Sequence, residues 1–192
     1  SLFFYGWAQT IRVWCYRLKI FPTRKLDCRV ISVGNLIMGG TGKTPMTLWI
    51  AEVLRDHGYK PAILSRGYGG LATEGVHVVC DGKRIVLSPE VAGDEPYMMA
   101  ERLKNVPVLT SRDRYEAGRY AIDRFGVDTL ILYDGYQHLT LHRDLNILLC
   151  DQQEPFGNGL VFPAGHLREP LQAAQRADVI CVTRCSENGR LN

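Results

Sequence analysis

The run Gly39-Gly40-Thr41-Gly42-Lys43-Thr44 has the residue types and spacing needed to hold a nucleoside triphosphate. Glycines let the backbone wrap closely, so that successive N–H groups face phosphate oxygens. Lys43 is placed to reach the β- and γ-phosphates, and the Thr44 hydroxyl to ligate Mg²⁺. The flanking pattern supports this reading. Arg29–Val33, β-branched and bounded by Gly34, reads as a buried strand, and helical periodicity runs from Lys43 to His57. Strand, glycine loop and helix in that order separate a phosphate loop from a chance cluster of glycines. The helix N-terminus adds its partial positive charge. ATP or a close relative with Mg²⁺ is therefore expected on Gly39, Gly40, Thr41, Gly42, Lys43 and Thr44.

The commonest form of the loop, G-x-x-x-x-G-K-[ST], requires glycine at position 37, where Ile37 stands. The run fits instead the tighter x-G-G-x-G-K-T form of the MinD-like branch. That branch usually carries a lysine where this chain has Met38.

Further polar groups stand at the ends of expected strands, where open α/β sheets place their ligands. Ser65-Arg66-Gly67-Tyr68-Gly69-Gly70 offers an arginine and glycines to an anionic group. Gly93-Asp94-Glu95-Pro96 sets two acids at a helix start, where acids also serve simply as caps. Asp134-Gly135-Tyr136-Gln137-His138 follows the apolar run Leu130–Tyr133, and an acid there is the usual Mg²⁺-side carboxylate of a phosphate-loop enzyme. Phe156-Gly157-Asn158-Gly159 and Pro163–Glu169 form a segment rich in glycine and proline that suits a substrate-lining loop.

These groups need a scaffold, and the remaining sequence describes one. Pro61–Ser65, Val106–Leu109, Asp128–Tyr133, Leu145–Cys150 and Val179–Thr183 read as strands. Asp94–Lys104 and Glu169–Arg176 read as helices, and Ser111 is a cap for a helix ending at Phe125. Val76–Cys80 and Arg84–Leu87 flank Asp81-Gly82 as a hairpin. Strands alternating with helices predict an α/β fold, a doubly wound, mainly parallel P-loop NTPase-like sheet over 26–192. Before it, residues 1–21 read as one amphipathic helix, within an appendage of 1–25. Phe3, Trp7, Ile11, Trp14, Leu18 and Phe21 share a stripe, and Arg12, Arg17 and Lys19 supply charge. Basic residues with tryptophans suit a helix lying in a membrane interface, and the interrupting charges exclude a spanning one. The net charge of +3 is mildly basic, too little to argue for nucleic acid. The cysteines, none in a C-x-x-C pair, read as free thiols of a reducing cytosol. With no Met at its start and an end at Arg190-Leu191-Asn192, the sequence reads as part of a longer protein.

Taken in order, these runs resemble the tetraacyldisaccharide 4'-kinase (lipid A 4'-kinase) family. The likeness lies in Val33–Leu36 leading into Gly39–Pro45, Leu64–Gly70, Gly93–Pro96, Asp134–His138 with Arg143–Leu145, and Phe156–Gly159 with Pro163–Gly165 and Leu167–Glu169. The resemblance implies ATP-dependent phosphorylation of the 4'-hydroxyl of an acylated glucosamine disaccharide lipid. It implies a peripheral protein on the cytoplasmic face of the inner membrane of a Gram-negative bacterium, its first helix meeting that membrane surface. It makes Asp94 the base, with Lys43 and Asp134 beside it in catalysis. Thr44, Glu95 and Asp134 become the metal side, and Arg66, Gly67, Tyr68, Gln137, His138 and Asn158 the substrate contacts. In that family two acids stand before the glycine of the fourth run, and here Tyr133 takes the first place. His166 stands where proline is more usual, and a histidine thought to partner the catalytic acid lies in a C-terminal part that this sequence lacks. Two alternatives remain at this point: a degenerate or truncated nucleotide binder without turnover, and a MinD-like membrane-associated ATPase switch.

Overall fold

The computed structural model describes residues 11–16, 18, 20–71 and 74–185. Of the expected N-terminal helix, residues 11–16 are helical (α1) and 20–21 form a bend, while 1–10, 17 and 19 lie outside the described residues. Then follow β1 (Arg29–Gly34), α2 (Lys43–Asp56), β2 (Pro61–Ser65), β3 (His77–Cys80), α3 (Pro89–Ala92), α4 (Asp94–Arg102), β4 (Val108–Thr110), α5 (Arg114–Phe125), β5 (Thr129–Tyr133) and β6 (Leu145–Asp151). A 3₁₀ helix, Leu171–Arg176, leads into β7 (Val179–Thr183).

The strands make one seven-stranded sheet in the order β3-β4-β2-β5-β1-β6-β7. Its pairs are parallel except β3 with β4. The central strands are apolar on both faces because both faces are covered. Ile131 and Tyr133 of β5 and Ile147 and Leu149 of β6 pack with Leu48, Ile50 and Ala51 of α2 and Met99 and Ala100 of α4. The alternate residues Leu130 and Leu132 face Ala117 and Ala121 of α5. Leu148 and Cys150 join Leu36, Tyr136, Leu167 and Ala173 in a smaller cluster. Period-two alternation thus sends each β5 or β6 residue to one of two layers.

Three local expectations change. The cap of α5 is Asp113, whose carboxylate accepts from the N–H groups of Tyr115 and Glu116, while the Ser111 hydroxyl donates to the Gly75 carbonyl. Asp113 also takes both arms of its carboxylate to Arg24, at 2.5 and 2.6 Å, which holds it at the helix start. The expected helix from Glu169 is a 3₁₀ turn that begins only after Pro170, because a residue before proline is disfavoured in helical geometry. The return limb of the hairpin is reduced to an isolated bridge between Cys80 and Ile85, with Asp81 accepting from Lys83 and Arg84 N–H to hold the turn.

Candidate functional site: a phosphate loop at the centre of the sheet

From β1 the chain departs for β2 on one side, and it reaches β6 on the other, so the crevice at the C-terminal end of β1 lies where the winding reverses. The glycine loop occupies that crevice. Asn35, fully buried, donates to the Thr41 hydroxyl at 2.8 Å and to the Gly39 carbonyl at 3.4 Å, bracing the loop across its mouth. From the end of β7 the Thr183 hydroxyl donates to the Thr41 carbonyl at 3.0 Å. Thr41 is therefore held by its side chain and carbonyl. Ile37 has a packing role: it is buried and pairs with Leu167, while the Met38 N–H donates to the His166 carbonyl and the Arg168 N–H to the Leu36 carbonyl. With residues 36–38 bound to the 156–169 segment, the free loop begins at Gly39, which accounts for the tighter form. Gly39 and Gly42 have φ of 128° and 79°, as the wrapping requires. Helix α2 opens at Gly42 with no side-chain cap and no acid in its first turn. Its first N–H groups are thus left for an anion.

Lys43 is only 8% exposed; its ammonium donates to the Gly39 carbonyl and lies 3.8 Å from Asp134 Oδ1. Burial pulls its pKa down, and the neighbouring Asp134 opposes that pull. Asp134 follows β5 in a left-handed backbone conformation. Its Oδ2 accepts from Arg168 at 2.7 Å, and Oδ1 is buried with no hydrogen-bond partner. Tyr133, 2% exposed, donates its phenol proton to Glu95 Oε1 at 2.7 Å and lies 3.0 Å from Thr44 Oγ1. The first turn of α4, carrying Asp94 and Glu95, is thereby joined to the start of α2.

The arginine loop belongs to the same unit. A Cβ on Gly93 would stand 2.7 Å from the Tyr68 carbonyl, and one on Gly70 would stand 2.5 Å from the Val91 carbonyl. Residues 66–70 therefore lie against the turn before α4, with Arg66, Tyr68 and Asp94 exposed along one rim.

The other expected substrate contacts are placed differently. The Gln137 amide donates to the Asn35 carbonyl at 2.9 Å, and Arg12 of α1 donates to the Gln137 carbonyl at 3.3 Å. His138 is held against the Thr140 hydroxyl at 2.8 Å, and burial, with Arg114 and Arg143 nearby, lowers its pKa to about 3. Asn158 is turned onto its own loop, donating to the Ala164 carbonyl and accepting from the Leu160 N–H. Two site residues were not singled out from sequence. Arg168 lies within a run already noted, but its reach to Asp134 depends on a fold-back of the chain. Arg114 looks like a solvated helix-start arginine. It is nevertheless buried, with Nε unpartnered and its pKa pushed down to about 10 by burial and then by Arg66.

Among the described residues no three His, Cys, Asp or Glu side chains gather as a metal site. The donors at the loop are one hydroxyl, Thr44, and the carboxylates of Asp134 and Glu95. The buried Oδ1 of Asp134, which faces the Lys43 ammonium but takes no hydrogen bond, is the sign that a cation fits. So few protein donors suit Mg²⁺, which keeps waters and takes substrate phosphates as ligands.

A mainly parallel, doubly wound sheet with this glycine loop at the end of β1, where the winding reverses, defines a protein of the P-loop class. A family model described as LpxK, tetraacyldisaccharide-1-P 4'-kinase, matches residues 2–192. The chain belongs to that family. It is 50% identical over 181 residues to a tetraacyldisaccharide 4'-kinase of Syntrophus aciditrophicus, covering 94% of this chain and 48% of the relative. It is 49% identical over 182 residues to one of Geobacter metallireducens, covering 95% and 54%. A crystal structure described as the "apo" form of LpxK from Aquifex aeolicus in complex with ATP superposes with a TM-score of 0.89 at 40% identity, covering 95% of this chain and 56% of that one. The chain spans about half the length of the curated relatives it matches. These likenesses do not favour the MinD-like switch.

Proposed function

We propose that the protein transfers the γ-phosphoryl group of ATP to the 4'-hydroxyl of a tetraacylated glucosamine disaccharide 1-phosphate, the reaction for which its relatives are named. The carrying observation is the meeting of three elements at one crevice: the start of α2 with Lys43 and Thr44, the end of β5 with Asp134, and the start of α4 with Asp94 and Glu95.

Phosphoryl transfer asks the protein mainly for positioning and charge neutralisation. The loop N–H groups and Lys43 hold the triphosphate. Thr44 and Asp134, with Glu95 beside them, would hold Mg²⁺, which supplies charge neutralisation on the β- and γ-phosphates. Asp94, exposed at the rim, takes the proton of the sugar hydroxyl as oxygen bonds to phosphorus and ADP leaves. Arg66, exposed at the rim, stands where an anionic part of the substrate would approach. A groove of about 840 Å³ beneath α1, lined by Trp14, Phe21, Leu139 and Leu141 with Arg143 and Arg176, supports a lipid as the acceptor. The exposed apolar face of α1 supports a peripheral place on the cytoplasmic face of the inner membrane.

The test is transfer of labelled γ-phosphate from ATP to the tetraacylated disaccharide 1-phosphate in detergent. Lys43→Ala and Asp94→Ala are each expected to lower transfer by at least 100-fold with unchanged melting profiles. ATP binding is lost in the first and kept in the second. Wild-type protein that binds ATP but yields no phosphorylated lipid would sink the kinase reading, and an active Asp94→Ala would remove the base assignment.

A further inference from the structure

The contact of Tyr133 with Thr44 and Glu95 has a direction that follows from counting protons. A phenol owns one proton, and an ionised carboxylate only accepts. The 2.7 Å bond to Glu95 therefore uses the Tyr133 proton. The 3.0 Å contact with Thr44 must then run the other way, the Thr44 hydroxyl donating to the phenol oxygen. Once that hydroxyl has turned its proton toward β5, both its lone pairs are left for the mouth of the loop. In P-loop proteins the strand-end acid and the loop hydroxyl are the metal side of the site. Here the residue against the hydroxyl is a phenol whose one proton is already committed to Glu95.

We propose that Tyr133 is a positioning residue for the metal: it accepts a hydrogen bond from the Thr44 hydroxyl, donates one to Glu95, and so aims the Thr44 lone pairs at a divalent cation on the nucleotide. Negative charge reaches the hydroxyl through the phenol, from a carboxylate on a different element. The chain Thr44–Tyr133–Glu95 also couples the metal side of the loop to the helix that carries Asp94. The inference rests on the nucleotide-binding part of the function proposed above.

The experiment is ATP affinity by titration calorimetry, with Mg²⁺ and with EDTA, for wild type, Tyr133→Phe and Tyr133→Asp. Removing an outer partner of a metal ligand typically weakens metal affinity roughly 10–100-fold. Tyr133→Phe, which cannot accept a hydrogen bond from Thr44, is expected to lose that much of the Mg²⁺-linked gain while its affinity in EDTA stays within about twofold of wild type. A merely structural residue would weaken both affinities together. Tyr133→Asp, whose carboxylate also accepts from Thr44, is expected to keep the gain, and it decides the matter should Tyr133→Phe not fold. A full Mg²⁺-linked gain in Tyr133→Phe, or its loss in Tyr133→Asp, overturns the proposal. Wild-type ATP binding without phosphoryl transfer would remove the kinase reading alone; absence of ATP binding in either condition removes both.

Discussion

At the scale of single residues the site holds charges and polar groups that folding has taken largely out of water. Lys43 tolerates burial because Asp134 and the Gly39 carbonyl face it. His138 tolerates it by staying neutral. Its pKa of about 3 lies below the ordinary value of 6.5, so between those pH values the unfolded chain binds a proton that the folded protein refuses. Stability therefore rises with pH across this window and is lost as pH falls through it. Denaturant melts of His138→Gln against wild type at steps from pH 7 to pH 4 should show the difference. The wild type is expected to lose stability more steeply, and parallel curves would mean that His138 is not held neutral by the fold. Its burial among Arg114 and Arg143 also makes it a poor cation for an anionic substrate. A loop histidine in the sequence carried no sign of that, since the cause is burial by the fold beside Arg114 of α5 and Arg143 of its own loop.

At the scale of elements the start of α4 is the joint on which the proposed chemistry turns. Gly93 has φ 89° and ψ 150°, a region open essentially to glycine alone, and a Cβ there would press on the Tyr68 carbonyl. Gly93→Ala is expected to cost about 1–3 kcal/mol of stability. It should also displace Asp94 and Glu95 together with the 66–70 loop, so that phosphoryl transfer falls further than ATP binding. Chemical denaturation beside the transfer assay measures both; an unchanged melt would show that the turn relaxes at no cost. The element positions were largely readable beforehand, because periodicity and glycine boundaries are local. Pro61–Ser65 and Val179–Thr183 were predicted with the bounds they have. The Asp113 cap was not predicted, because Ser111 is an equally good cap by type, and the choice fell to Arg24, distant in sequence, which pairs with Asp113.

At the scale of the whole molecule one face is apolar where water should meet it. Trp14 is 56% exposed and Leu18 59% exposed, with Ile11, Ile20 and Phe21 beside them. Among the described residues no helix is long and apolar enough to cross a membrane. We predict that the protein floats with vesicles containing anionic lipid, and that salt weakens this by screening the basic residues. Trp14→Glu and Leu18→Glu should each weaken binding by roughly tenfold or more, as expected from losing the burial of one large apolar side chain. Equal flotation of wild type and both variants would return this segment to a packing role.

The sequence by itself determined the loop, the parallel sheet and the resemblance to a sugar-lipid kinase family, because each depends on contiguous residues whose spacing is visible along the chain. Only the tertiary structure decided what surrounds the loop. Arg168 on Asp134, Thr183 on Thr41, and Tyr133 between Thr44 and Glu95 all join residues far apart in sequence. No local pattern encodes such a pair, since it exists only once the sheet has brought the ends of its strands to one edge.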